Sequence, residues 1–259
     1  MFTRTMQSLM LGCLVVAAVS AADDPFVGTW KLNTQESKMT GFQEKIQSLG
    51  DNKYKFTFGN NSDVIVADGT DQPSNFGGTW SLKQEGPNTW KSVDKQNGKT
   101  TSSGTWTMSD DGKEMTIKNE GTREDGSTFN NTFKLKRLAG SSGLAGTWQS
   151  TEANISSPVD WKIEKYESDG LSFVFPSNNE RLDFKFDGKD YTATGPRVTP
   201  GSTSSARRVD DRTIEVTDKL KGKVMSRDEY KVSEDGRKLT ITAHYPGVST
   251  PETTVYDRQ

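Results

Sequence analysis

Only one cysteine and one histidine occur in the 259 residues. Cys13 sits in the first 22 residues, so the rest of the chain has no thiol to pair and no disulfide scaffold. A zinc centre takes three or four ligands, mostly His or Cys; His244 alone cannot build one. No glycine-rich phosphate loop and no serine nucleophile elbow is present. Charge of one sign is lacking too: 33 basic and 35 acidic residues leave a net charge of −2. The densest basic spots, Arg207-Arg208 and Lys219 to Lys223, are flanked by Asp and Glu, which argues against nucleic-acid binding. Hydrophobic residues make up only 31%, too few for a multi-span membrane protein, yet the near-zero net charge and twelve Phe, six Trp and six Tyr set the chain apart from a disordered one.

The one long apolar run lies at the N-terminus. Arg4 precedes Leu9 to Val19, followed by Ser20, Ala21 and Ala22. A cation, a short apolar stretch and small residues are the parts of a secretory signal, so residues 1–22 are expected to be a removable signal peptide and the protein to be exported, periplasmic or secreted. The run is too short to cross about 30 Å of hydrocarbon as a helix, so no transmembrane segment is expected after signal removal. Cys13 is followed by more apolar residues rather than a polar tether, which argues against lipoprotein anchoring there.

What remains is organised by a duplication. Residues 88–118 align without a gap to 212–242, and eleven of the 31 positions are identical, among them Asp94/Asp218, Ser102/Ser226 and Gly112/Gly236. Gly28-Thr29-Trp30 matches Gly146-Thr147-Trp148, and Thr132 to Arg137 lines up with Thr253 to Arg258. Two domains are therefore expected, 25–139 and 144–259, joined by a small flexible linker over 140–143. Copy two carries about seven extra residues around Gly195 to Ser205, read as a longer surface loop.

Within each copy the apolar residues alternate. Tyr54-Lys-Phe56-Thr-Phe58, Leu182-Asp-Phe184-Lys-Phe186 and Met115-Thr-Ile117-Lys are examples. Period two with one polar face marks half-buried antiparallel strands. Asn97-Gly98, Asp111-Gly112, Asp187-Gly188 and Asp235-Gly236 supply hairpin turns between them. Residues 39–49 carry a helical spacing of apolar residues, but their counterpart Trp161-Lys-Ile163 alternates, so 44–49 is read as a strand. Eight to nine short strands per copy predict an all-β protein with two tandem antiparallel up-and-down barrels.

Pro25-Phe26-Val27-Gly28-Thr29-Trp30 resembles the opening strand of lipocalins and fatty-acid-binding proteins. Together with Asp187-Gly188-Lys189 and the Val255-Tyr256-Asp257-Arg258 ending, the chain resembles the exported bacterial lipocalin-like domains, here as a tandem pair. The two-helix lid and the Arg-x-Tyr anchor of fatty-acid-binding proteins have no counterpart, so no fatty-acid site carries over. The resemblance implies that the terminal Arg of each barrel packs across the Trp of its first strand, giving Trp30–Arg137 and Trp148–Arg258 as closure pairs.

No carboxylate pair, metal cluster or triad stands out, so a non-enzymatic protein without a cofactor is expected. The aromatic strands are the functional candidates: Tyr54, Phe56 and Phe58 in copy one, and Leu171, Phe173 and Phe175 in copy two. They are either core or the wall of a ligand cavity. If a cavity exists, copy two with its longer loop is the expected site. Two functions follow: a carrier of an apolar or amphipathic, lipid-like small molecule, or an envelope or secreted interaction module with filled barrels.

Overall fold

The computed structural model describes residues 24–140, 142–156 and 160–259. The expected signal peptide, Cys13 and one linker residue, Ser141, lie outside the described residues. The fold is all-β, with two nearly closed antiparallel barrel-like sheets. The first half contributes β1 (Gly28–Leu32), β2 (Gln43–Gly50), β3 (Lys53–Phe58), β4 (Asn61–Val66), β5 (Gln72–Pro73), β6 (Thr79–Gly86), β7 (Thr89–Gln96), β8 (Lys99–Met108), β9 (Glu114–Thr122) and β10 (Thr128–Ala139). The second contributes β11 (Gly146–Ile155), β12 (Asp160–Tyr166), β13 (Gly170–Phe175), β14 (Glu180–Lys185), β15 (Ser202–Asp210), β16 (Thr213–Leu220), β17 (Lys223–Val232), β18 (Lys238–His244) and β19 (Glu252–Arg258). Residues 44–49 fall within β2, as the alternation of their counterpart requires. The turns repeat as well: Asn97-Gly98 and Lys221-Gly222 occupy the same place and both residues of each pair take positive φ, the conformation a two-residue hairpin needs.

The two halves do not each close on their own strands. One sheet runs β4-β3-β2-β11-β10-β9-β8-β7-β6-β5 and the other β14-β13-β12-β1-β19-β18-β17-β16-β15. Each barrel thus takes its opening strand from the other half of the chain. We call them the first barrel (β2–β11) and the second barrel (β1 with β12–β19). This corrects the expectation that 25–139 and 144–259 form self-contained barrels. The physical reason is chain proximity. Only residues 140–145 separate β10 from β11, so the meander continues as a hairpin within one sheet, as neighbouring strands usually do. That leaves β1 to fill the matching slot between β12 and β19.

The closure pairs are exchanged for the same reason. Arg137 lies over the ring of Trp148 at 4.1 Å, and Arg258 over Trp30 at 4.2 Å, so the Trp30–Arg137 and Trp148–Arg258 pairings are corrected. The chemistry expected of the motif is intact. Arg137 donates from Nε to the Gly112 carbonyl at 2.6 Å and from Nη2 to Gly143 at 2.6 Å, and also reaches the Ala145 carbonyl. Arg258 donates to the carbonyls of Gly236, Val27 and Pro25. Both indoles are fully buried, and each donates Nε1 to a carbonyl four residues upstream, Phe26 or Leu144. The glycine that opens each motif is required by this arrangement: a Cβ at Gly28 or Gly146 would collide with the guanidinium of Arg258 or Arg137.

The barrels also touch. Phe58 meets Tyr245 edge-on at 5.4 Å, and Asn60 Nδ2 donates to the Val224 carbonyl at 3.2 Å. The extra loop of copy two leans on the first barrel. Arg197 Nε donates to Glu124 Oε1 at 2.6 Å and Thr199 Oγ1 to the Phe76 carbonyl at 2.7 Å.

Candidate ligand cavity

The first barrel holds a half-open cavity of about 510 Å3. Phe56, Phe58, Trp80, Trp106 and Phe133 supply much of its wall. Phe56 packs edge-on against Trp80 at 5.0 Å and against Trp106 at 6.0 Å. Phe58 stacks on Phe42 at 4.6 Å. Tyr54, on the same face of β3, packs against the barrel core rather than the cavity wall.

The copy-two candidates take the other role. Leu171 and Phe173 are buried in the core of the second barrel, and Phe175 packs against it. Phe175 stacks parallel on Trp161 at 5.4 Å. Phe173 packs edge-on against Trp161 at 4.9 Å and Phe184 at 4.8 Å, and stacks on Tyr230 at 5.5 Å. They are core, not cavity wall, and the cavity belongs to the barrel with the shorter loop. The long loop instead braces Phe76 on the rim of the first barrel's cavity.

Strand register explains why one barrel is hollow and the other filled. Trp161 stands opposite Trp30 in the second barrel, while Glu44 stands opposite Trp148 in the first. Where the second barrel has an indole touching Phe173, Phe175, Tyr230 and Tyr256, the first has a carboxylate side chain. Tyr256 pairs with Leu239 and Leu32; its counterpart Leu135 pairs with Met115 and Ser150. Asp228 is replaced by Gly104, whose missing side chain leaves room for Ser92 Oγ, Asn119 Oδ1 and the Trp106 indole. Two smaller residues on the lining, Glu44 in place of Trp161 and Leu135 in place of Tyr256, open the space.

The polar groups of the cavity are all neutral or acidic. Glu44, Asp63, Asp94 and Glu252 line it, and among the described residues no lysine, arginine or histidine does. Asp63 is committed to structure: it accepts from Ser74 Oγ at 2.6 Å and from the Asn75 N–H at 2.8 Å, fixing the segment that carries Phe76. Asp94 accepts from Ser102 Oγ at 2.6 Å, yet its burial still raises its pKa. Glu252 reaches over from the second barrel, accepts from the Tyr245 hydroxyl at 3.2 Å, and is likewise raised by burial. Burial with no compensating partner pushes Glu44 to about 7. Two polar atoms of the lining residues are buried without a hydrogen-bond partner, Trp80 Nε1 and Ser150 Oγ.

Glu44, Asp94 and Glu252 were not among the residues singled out from the sequence. A signal for Glu44 was there. It shares the inward face of β2 with Ile46, so a charge interrupts an apolar face. The second barrel has its own buried acidic pair. Ser226 Oγ donates to Asp228 Oδ2 at 3.2 Å and lies 3.4 Å from Asp218 Oδ2, and Asp228 is raised to about 7 by burial and by Asp218 beside it. His244 is exposed at the end of β18. No group of three or more metal-ligating side chains occurs among the described residues. Compared with protein-family models and with curated proteins, the chain matches none.

Proposed function

We propose that the protein is an exported, non-enzymatic carrier that holds an apolar or amphipathic small molecule inside the first barrel. The observation that supports this reading most is the cavity itself: about 510 Å3, walled by aromatic rings, with unpartnered polar atoms at Trp80 and Ser150. Small-molecule sites fall in the range of about 300–1,000 Å3 and combine apolar walls with a few placed polar groups. The likeness to exported lipocalin-like domains, and the signal-like first 22 residues, agree with a carrier that works outside the cytoplasm. One filled barrel and one hollow barrel divide the labour. The second barrel supplies Glu252 and, through Tyr245 and the loop at 197–199, steadies the rim of the first.

The filled core of the second barrel also favours a spacer role for that half, so the interaction-module reading applies to it rather than to the cavity barrel. The test is mass spectrometry of small molecules released by denaturing natively purified protein. A stoichiometric compound that is absent after Glu44→Trp supports a carrier. A cavity that stays empty, with no apolar probe binding at micromolar concentration, overturns it.

A further inference from the structure

The carrier reading leaves open the chemical class of the ligand, and the charges of the cavity bear on it. A pocket that takes a fatty acid or another anion needs a cation or a cluster of free N–H donors to receive the carboxylate. This cavity has four carboxyl side chains on its lining and no basic residue among the described ones. Three of the four already have uses in the protein: Asp63 holds Ser74 and Asn75, Asp94 holds Ser102, and Glu252 holds Tyr245. The Glu44 side chain alone takes part in no hydrogen bond or ion pair among the described residues. It sits directly opposite Phe58 on one side and Trp148 on the other.

An acidic cluster is not by itself a site, but two independent observations point to a guest. The first is the aromatic cage. Phe42 and Phe58 stack next to Glu44 in the sheet, and Phe56, Trp80 and Trp106 continue the wall at edge-to-face angles. Ring faces attract cations, and the effect is stronger where water is excluded. The second is Ser150, 6% exposed, whose Oγ has no partner and which lines the same cavity. A hydroxyl can accept from an N–H as readily as it can donate. An ammonium offers three donors and no acceptor, which complements carboxylate and serine oxygen together.

We propose that the ligand is an amphiphilic cation, an amine carried on an apolar or aromatic body, with its ammonium held by Glu44 beside the Phe42–Phe58 stack and its body among Phe56, Trp80 and Trp106. This rests on the carrier reading and specifies its ligand. The half-buried Glu44 carboxylate has no partner; the ammonium supplies the missing counter-charge, and Asp94 and Glu252 add attraction of the same sign. An anionic ligand would meet only repulsion from these groups.

The test uses three probes with one body: 4-phenylbutylamine, 4-phenylbutanol and 4-phenylbutyrate, titrated into the full chain by calorimetry at pH 8. The amine is expected to bind at least about tenfold more tightly than the alcohol, the value of one charge-assisted hydrogen bond, and the butyrate most weakly. Glu44→Gln is expected to remove the amine's advantage, bringing its affinity down to that of the alcohol. If amine and alcohol bind equally, or the butyrate binds best, the cation inference falls while the carrier stands. If none of the three binds, the carrier reading falls with it. The ranking on the unaltered chain decides the matter even if Glu44→Gln fails to fold.

Discussion

The guanidinium of Arg137 lies 4.1 Å above the indole of Trp148, a residue of the other copy of the repeat. Its three donor nitrogens meet the carbonyls of Gly112, Ala145 and Gly143. Arg258 does the same over Trp30, so each sheet is pinned in its interior, where strands from both halves of the chain lie side by side. This makes the halves interdependent in folding as well as in sequence.

Removing that pin has a calculable cost. Arg137→Ala leaves three carbonyls without their donor and uncovers a buried indole, so a loss of about 2–4 kcal/mol is expected. Arg258→Ala is expected to cost the same. Arg137→Lys recovers little of it, because an ammonium cannot reproduce the planar fork. Urea unfolding of the three variants checks this; losses below about 0.5 kcal/mol would contradict it.

Strand exchange predicts the behaviour of a cut chain. With a protease site inserted after Gly140, cleavage is expected to leave the two fragments associated, because β1 lies between β12 and β19, and β11 between β2 and β10. Size-exclusion chromatography under native conditions reads the outcome. Two fragments eluting separately and folded would contradict the topology.

Burial of Glu44 ties stability to pH. Its carboxyl is raised from 4.5 to about 7 in the folded state, so the native protein binds more protons than the unfolded one between those values. The contribution is full below about pH 4.5 and is lost as pH rises through 7, by at most about 3 kcal/mol. Asp228 acts in the same direction, so the comparison is between parent and Glu44→Gln. The variant is expected to gain on the parent as pH rises from 4.5 to 7.5; parallel stability curves would contradict the assignment.

The strands were legible in the sequence because a half-buried strand must alternate, and β2 was recoverable from its counterpart around Trp161 even though its own apolar spacing looked helical. The closure motif was legible too, as Gly-Thr-Trp and a terminal Arg. Its partners were not. Duplication gives both opening strands the same Gly-x-Trp, so local pattern cannot say which one a given Arg meets; the short connection at 140–145 decides it. The cavity was misplaced for a related reason. The aromatic residues of β3 and β13 are nearly matched, and the difference between hollow and filled lies in Glu44 against Trp161 and Leu135 against Tyr256, positions that matter only once register is known. The extra loop at 195–205 pointed to a cavity in its own barrel, but it rests on the neighbour through Arg197 and Thr199.

The most direct test of the cavity as the working site is a fluorescence titration with an apolar probe on the parent and on Glu44→Trp. The substitution places in the first barrel the residue that fills the second at the matched position, where Trp161 is 4% exposed. The parent is expected to bind the probe at micromolar concentration. The variant is expected to lose at least about tenfold in affinity while keeping a cooperative melt. Equal binding by a folded Glu44→Trp variant would place the probe elsewhere and contradict the assignment of the first barrel as the ligand site.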